Sequence, residues 1–267
     1  MDETARQKDP EYLSTLERGL TVLNAFSAAR PQMSLSDVAL AAGLSPAVAR
    51  RCLNTLIELG YVAKHGRLFN LRPKVLEFAD AFLSSTNIEQ AVTPFLQNLR
   101  DETGDSASMA VRAGEEVMYI AHVSTLRPIR LGAHAGTRFA LHATSLGKVL
   151  LAFMPPEALG EYLDRSVRIA FTPNTVTDAA PLRKELAQVR KFGFARANDE
   201  LDYGICSLAV PIFDRSRNVI AAINCSTATG RAGETDFEGS RLPRLREAAG
   251  QIERSLQRFP TLAQALP

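Results

Sequence analysis

Gly104 divides this sequence into two textures, and the change between them limits the fold more than any other feature. Up to Gly104 the apolar residues recur at helical spacing. Beyond it, alternating stretches bounded by turn residues take over, and these read as strands. Helices placed ahead of hairpin-forming strands predict an α+β chain with an antiparallel sheet. The length of 267 residues is enough for two domains of ordinary size.

In the front part, Leu13, Leu16, Leu20, Leu23 and Phe26 predict a helix over residues 12–28. Ser34 or Ser36 is placed to cap a short helix ending near Gly43, and Ser45, followed by Pro46, to cap a third that ends at Gly60. "YVAKHGRLFNL" alternates and turns at His65-Gly66, which predicts a small hairpin. Helix, helix, short turn, helix and hairpin is the order of a winged helix-turn-helix.

The third helix carries two adjacent arginines. At about 100° per residue, Val48, Cys52, Leu56 and Leu59 share one side, with Leu53 at its flank. Ala47, Arg50, Arg51, Asn54 and Glu58 share the other. Between residues 45 and 75 there are six bases, Arg50, Arg51, Lys64, Arg67, Arg72 and Lys74, against one acid, Glu58, in a chain whose net charge is only +2. This local block is a candidate electrostatic footprint for nucleic acid. Small residues at the helix start (Ser45, Pro46, Ala47) permit close approach. Arg50, Arg51 and Asn54 have the donors that fork onto base edges in a major groove. Lys64 and Arg67 on the hairpin, and Ser34, are candidates for phosphate contact. A solvated polar face is the plain alternative.

Pro73 starts a further helix to residue 87, broken at Thr86-Asn87, and residues 88–104 continue as helix. The expected division is a DNA-binding domain over 1–72, a linker helix over 73–87 and a second domain over 88–267. In the second domain "SASMAVR" and "EVMYIAHV" form a hairpin and "IRLGA" a third strand, while "ICSLAVPIF" and "NVIAAINCS" form a second hairpin. "TSLGKVLLAFM", "PLRKELAQVRKFG" and a closing segment from Arg241 are helical. A four-residue loop pairs Phe213 with Asn218 and sets Leu208 opposite Ile223. Ile205, Ser207 and Ala209 then oppose Ser226, Asn224 and Ala222 on a small, polar face, which suits the floor of a cavity or a solvated side of the sheet. The helix beginning near Thr144 offers free N–H groups to a carboxylate, with Lys148 as a possible helper or a solvated cation.

Taken together, "LERGLTVLNAF", "LSDVALAAGLSPAVARRCLNTLIELGYV", "LHATSLGKVLLA", "ELDYGICSLAVPIFD" and "VIAAINCSTATGR" resemble, in that order, the IclR family of bacterial transcription regulators. The match covers nearly the whole chain. Within the family, "LHATSLGKVLLA" and "SLAVPI" are similar to the regulators of protocatechuate and β-ketoadipate catabolism. The resemblance implies a winged helix-turn-helix, a linker helix and a GAF-like effector-binding domain. It implies binding to double-stranded DNA at a palindromic operator, and homodimers that commonly pair into tetramers. It places an effector pocket around Met109, Leu131, Thr144, Ser145 and Leu146, around the loop from Asp199 to Asp202, and around Ser207, Asn224 and Ser226. A departure from many relatives is Cys206 in "GICS", before the strand serine. A small organic acid is the expected effector, and no cofactor is implied.

Other classes fit less well. "ATSLG" is a degenerate nucleophile elbow, but all four histidines precede Ser145, against the usual order of a hydrolase. The three cysteines and the histidines have no metal-ligand spacing. The start of the chain is charged, without a secretory h-region, and no apolar run reaches the roughly 18 residues of a membrane helix. A cytoplasmic protein is expected. A ligand-binding module acting through a protein partner is the remaining alternative.

Overall fold

The computed structural model describes residues 11–126, 132–233 and 236–266. The chain divides into two compact units, one up to Phe82 and one from Leu83 onward. The division falls inside the segment expected to link the domains.

The first unit opens with α1 (Ser14–Asn24), β1 (Met33–Ser34), α2 (Leu35–Ala41) and α3 (Pro46–Glu58). Serines start the last two helices. Ser34 accepts the Asp37 N–H while the Asp37 carboxylate accepts the Ser34 N–H, a reciprocal capping box. Ser45 accepts the Val48 N–H, and Pro46 occupies the first turn, where a missing N–H is harmless. Gly43, at φ +62°, makes the turn between the helices. The wing is β2 (Val62–His65) paired with β3 (Leu68–Leu71). Its turn is Gly66-Arg67, one residue later than expected, because the left-handed φ of 61° falls on Gly66 as the first loop residue. β1 adds a third strand beside β3, too short to show any alternation in sequence.

The buried stripe of α3 is rotated from the one the spacing predicted. Ala49, Cys52, Leu53 and Leu56 are buried, with Leu53 at the centre and not at the flank, while Leu59 is 51% exposed. In α1, Val22 packs inward with Ala25 and Phe26 just beyond, and Leu13, Leu16 and Leu20 remain exposed. A 3-10 turn at Pro73–Val75 leads into α4 (Leu76–Thr86), and Asn87 at φ 54° stops it. The continuous helix expected up to Gly104 is broken into α5 (Ile88–Ala91) and α6 (Thr93–Thr103). Pro94 has no N–H to offer residue 90, and its ring crowds that carbonyl.

The second unit is built on β4 (Ser106–Ala113), β5 (Glu116–Val123), β6 (Arg138–Ala140), β7 (Ala195–Asn198), β8 (Ile205–Phe213) and β9 (Val219–Ala228). They form one antiparallel sheet in the order β6-β5-β4-β9-β8-β7. The strand expected over 129–133 lies partly outside the described residues, and residues 132 and 133 are not strand; the pairing with β5 is made by β6. The register of β8 and β9 is two residues from the expected one. Phe213 pairs with Val219 across a longer loop, and an irregularity between Ile212 and Phe213 adds the second step, so Leu208 faces Cys225. A slip of two keeps every side chain on its expected face, whereas a slip of one would have exchanged the faces.

Helices cover both faces. On one lie α5, α6 and α11 (Phe237–Leu256), against Leu208, Val210, Ile212 and Ile223. Asp105, buried at the end of α6, binds Arg241 of α11 and Arg231 of α10 (Thr229–Gly233). On the other lie α7 (Ser145–Ala152), α8 (Pro156–Arg165) and α9 (Ala179–Phe192). A short α12 (Pro260–Ala265) follows α11. The small polar face of β8 and β9 is therefore covered by helix, not solvated. Ala110, Ala209 and Ala222 let α7 come close to the sheet, while Gly147 of α7 is crowded by the Leu141 backbone of the preceding loop. A Cβ there would stand 2.1 Å from the Leu141 carbonyl oxygen.

Candidate nucleic-acid interface and effector pocket

On the first unit, Ser45, Pro46, Ala47, Arg50, Arg51 and Asn54 are all exposed along one side of α3. Neither arginine forms an ion pair or side-chain hydrogen bond with another described residue, so both guanidinium forks are available. Lys64 extends over the Phe69 ring at 5.8 Å, and Arg67 stands in the wing turn. Lys74 is exposed but engaged, donating to the Leu59 carbonyl at 3.1 Å. Ser34 is committed to its cap, its hydroxyl donating to Asp37 at 2.7 Å. Beside a carboxylate, that group is poorly set for a phosphate, so the capping function replaces the expected one.

On the second unit, a cavity lies between β8, β9, the start of α7 and the loop after β7. Tyr119, Thr144, Glu200, Ser207, Asn224 and Ser226 supply its polar lining, and Ala143, Ala197, Leu201 and Ile205 the apolar remainder. The enclosed space is about 20 Å³, room for one water molecule and not for an aromatic ring. Leu201 also lines a neighbouring cleft of about 340 Å³ with Phe139, His142, Tyr162 and Phe171.

The Thr144 hydroxyl accepts the Gly147 N–H at 3.0 Å and caps α7. That leaves the N–H groups of Thr144, Ser145 and Leu146 as the ones the helix itself cannot satisfy. Lys148 is the largest fully buried side chain, holding Glu200 at 2.5 Å and Glu185 at 2.6 Å. Neither role considered for it in the sequence survives: it is not solvated, and its charge is already matched. Burial pushes the Glu200 carboxyl above the usual carboxylate range, against the opposing pull of Lys148. Burial likewise raises the Tyr119 phenol, and the hydrogen-bonded Asn224 amide acts in the other direction.

Residues 80–254 match the family described as "Bacterial transcriptional regulator IclR C-terminal". Residues 15–66 match "IclR helix-turn-helix domain". This chain belongs to the IclR family of bacterial transcriptional regulators. It is 38% identical over 245 residues to the Pca regulon regulatory protein of Pseudomonas putida, across 91% of this chain and 84% of that one. It is 32% identical over 247 residues to the p-hydroxybenzoate hydroxylase transcriptional activator of Acinetobacter baylyi, across 91% of each. Among solved structures, an IclR homolog of Microbacterium hydrocarbonoxydans complexed with 4-hydroxybenzoate superposes with a TM-score of 0.74 at 26% identity, over 91% of this chain and 99% of that one. These relatives are regulators, not enzymes. In this regulator the Ser145 hydroxyl is buried and donates to Ser207 at 2.8 Å, so it is no activated nucleophile.

Of the residues expected in the regulator's pocket, Thr144, Ser207, Asn224 and Ser226 line the cavity together. Ser145 touches it through Ser207, and Leu146 is buried in the core beneath. Met109 is a correction. Strand alternation turns it to the opposite face, where it is buried in the core with Leu208 and Ile223. Asp199 is another, because its carboxylate closes its own loop by accepting from Gly204 and Thr229, both at 2.7 Å. Asp202 accepts the Tyr203 N–H at 2.8 Å on the exposed side of that loop. Leu131 lies outside the described residues. Tyr119 was missed, because it sits in an unremarkable strand; Glu200 lay within the expected loop but was not singled out among its three acids, and it is the one that lines the cavity.

Proposed function

We propose that this regulator binds a palindromic operator as a homodimer and is switched by a hydroxylated aromatic acid, in the cytoplasm, within aromatic-acid catabolism. The observation that carries the DNA-binding half is the pair Arg50 and Arg51, exposed beside Asn54 on the open side of a helix that starts with small residues. Base contacts are assigned to these three, with Ser45, Pro46 and Ala47 allowing the approach, and phosphate contacts to Lys64 and Arg67.

Dimerisation is assigned to the first unit. Leu13 is 70%, Leu16 61% and Leu20 48% exposed on one face of α1, too much apolar surface for a solitary short helix. Two such units place two recognition helices on half-sites about one helical turn apart. A tetramer through the second units, as the resemblance implies, is a further level of the same proposal.

The effector half rests on the cavity chemistry and on the relatives, one of which carries 4-hydroxybenzoate. A carboxylate is well served by the Ser145 and Leu146 N–H groups at the positive end of α7. The ring needs more room than the cavity has. Leu201 lines both the cavity and the aromatic-lined cleft, so a movement of that side chain is the proposed route to the extra room.

The test uses purified full-length protein and its own promoter fragment. Binding weakens steeply as salt rises, exceeds binding to scrambled duplex, and shifts when 4-hydroxybenzoate or 3,4-dihydroxybenzoate is added. Equal affinity for promoter and scrambled duplex in all conditions removes the reading.

A further inference from the structure

The cavity contains an acceptor that no described residue satisfies. Glu200 is 7% exposed. One of its oxygens, Oε1, accepts from Lys148 at 2.5 Å. The other, Oε2, is buried and takes no hydrogen bond from any described residue. Asn224 Oδ1 is in the same position, at 3% exposure of the residue. Both residues line the cavity.

The two orphans differ in weight. The Asn224 amide can turn over and exchange its oxygen for an NH2 group, which changes what it asks of a ligand. A carboxylate cannot do this, since both of its oxygens are acceptors when it is ionised. The Lys148 ammonium also faces Glu185, so one cation serves two carboxylates and the second Glu200 oxygen is left over. Glu200 is also anchored along its main chain. Thr175 donates its hydroxyl to the Glu200 carbonyl at 2.6 Å, and Thr172 donates to the Asp199 carbonyl beside it. Backbone and head group are both held, so the orphan oxygen is presented at a set place. A buried acceptor left unsatisfied is costly, and a ligand that supplies the donor removes that cost.

We propose that Glu200 is a specificity-determining residue: the effector donates a hydroxyl hydrogen to its Oε2, and aromatic acids without a hydroxyl at the matching ring position are refused. The proposal rests on the aromatic-acid reading given above and adds to it the group that reads the ring. The sequence conceals this, because its partner Lys148 is 52 positions away in the chain.

Ligand-side and protein-side changes test it separately. Full-length protein is titrated by calorimetry with benzoate, 3-hydroxybenzoate, 4-hydroxybenzoate, 3,4-dihydroxybenzoate and 4-methoxybenzoate. The methoxy compound keeps the oxygen and loses the donor. At least one hydroxylated acid is expected to bind at least about tenfold more tightly than benzoate, and masking its hydroxyl as the methyl ether abolishes the advantage. In Glu200→Gln, Lys148 retains the amide oxygen and the NH2 group turns into the cavity, where it donates to the ligand oxygen instead of accepting from it, so the discrimination between a hydroxyl and its methyl ether collapses. Circular dichroism establishes that the variant folds; the wild-type ligand series decides the point even where it does not. Benzoate binding as tightly as every hydroxylated acid, or an undiminished preference for the hydroxyl over its methyl ether in folded Glu200→Gln, overturns the assignment and leaves the aromatic-acid reading standing. Binding of none of the five acids overturns both.

Discussion

Arg51 and Gly147 show how much can depend on one residue, for opposite reasons. Arg51 is surrounded by space, and its value lies in what it meets outside the protein. Replacing it with alanine is expected to lose about 1–3 kcal/mol of discrimination at one base pair of each half-site. Competition binding against operators altered base by base measures this, and an equal loss at all sequences would make Arg51 a phosphate contact instead. Gly147 has no space at all, because the Leu141 backbone occupies the place of its missing Cβ. Gly147→Ala forces α7 away from the loop before it and is expected to destabilise the second unit by about 1–3 kcal/mol or more, read from urea unfolding. An unchanged midpoint would mean that the loop yields easily. Both residues stand in plain view in the sequence. The arginine's exposure follows from helical periodicity, whereas the glycine's constraint depends on a chain crossing that no local pattern describes.

At the level of elements, the β8–β9 hairpin explains why the pocket face was legible although its register was not. Alternation sorts Ser207, Ala209, Asn224 and Ser226 from Leu208, Val210, Ile223 and Cys225 whatever the loop length, provided that the slip is an even number. The bulge near Phe213 supplied the second step and could not be read from composition. What covered that face was equally hidden: α7 lies over it and leaves only a small polar cavity. Ser207→Leu fills this cavity from its floor. The variant is expected to bind operator DNA as the wild type does, while 4-hydroxybenzoate no longer alters that binding. Calorimetry showing undiminished ligand affinity in Ser207→Leu would remove the pocket from this place. The capping serines make the opposite case. Ser34 and Ser45 start their helices through contacts three residues away, so their roles were fully local.

For the whole molecule, ligand control is a matter of linkage between two units. An effector changes operator affinity only through unequal binding to the states that differ in that affinity. Such coupling is reciprocal. If saturating 4-hydroxybenzoate changes operator affinity by some factor, saturating operator must change 4-hydroxybenzoate affinity by the same factor and in the same direction. Fluorescence anisotropy for DNA and calorimetry for ligand give the two numbers. A disagreement beyond error would mean that a further process, such as a change of oligomeric state, takes part; the exposed leucines of α1 point to where that process would begin.

What the sequence determined by itself was everything that arises within a few residues. That includes the helix-turn-helix and its wing, the caps, the exposed arginine stripe, and the sorting of strand residues between two faces. Tertiary structure alone decided which of the chemically able residues share a cavity. It sent Met109 to the far side of the sheet, gave Asp199 to its own loop, and buried Lys148 against Glu200. The physical reason is range. Capping and periodicity are settled by neighbours along the chain, whereas burial of a charge is settled by whatever distant segment closes over it and by whether that segment brings a partner.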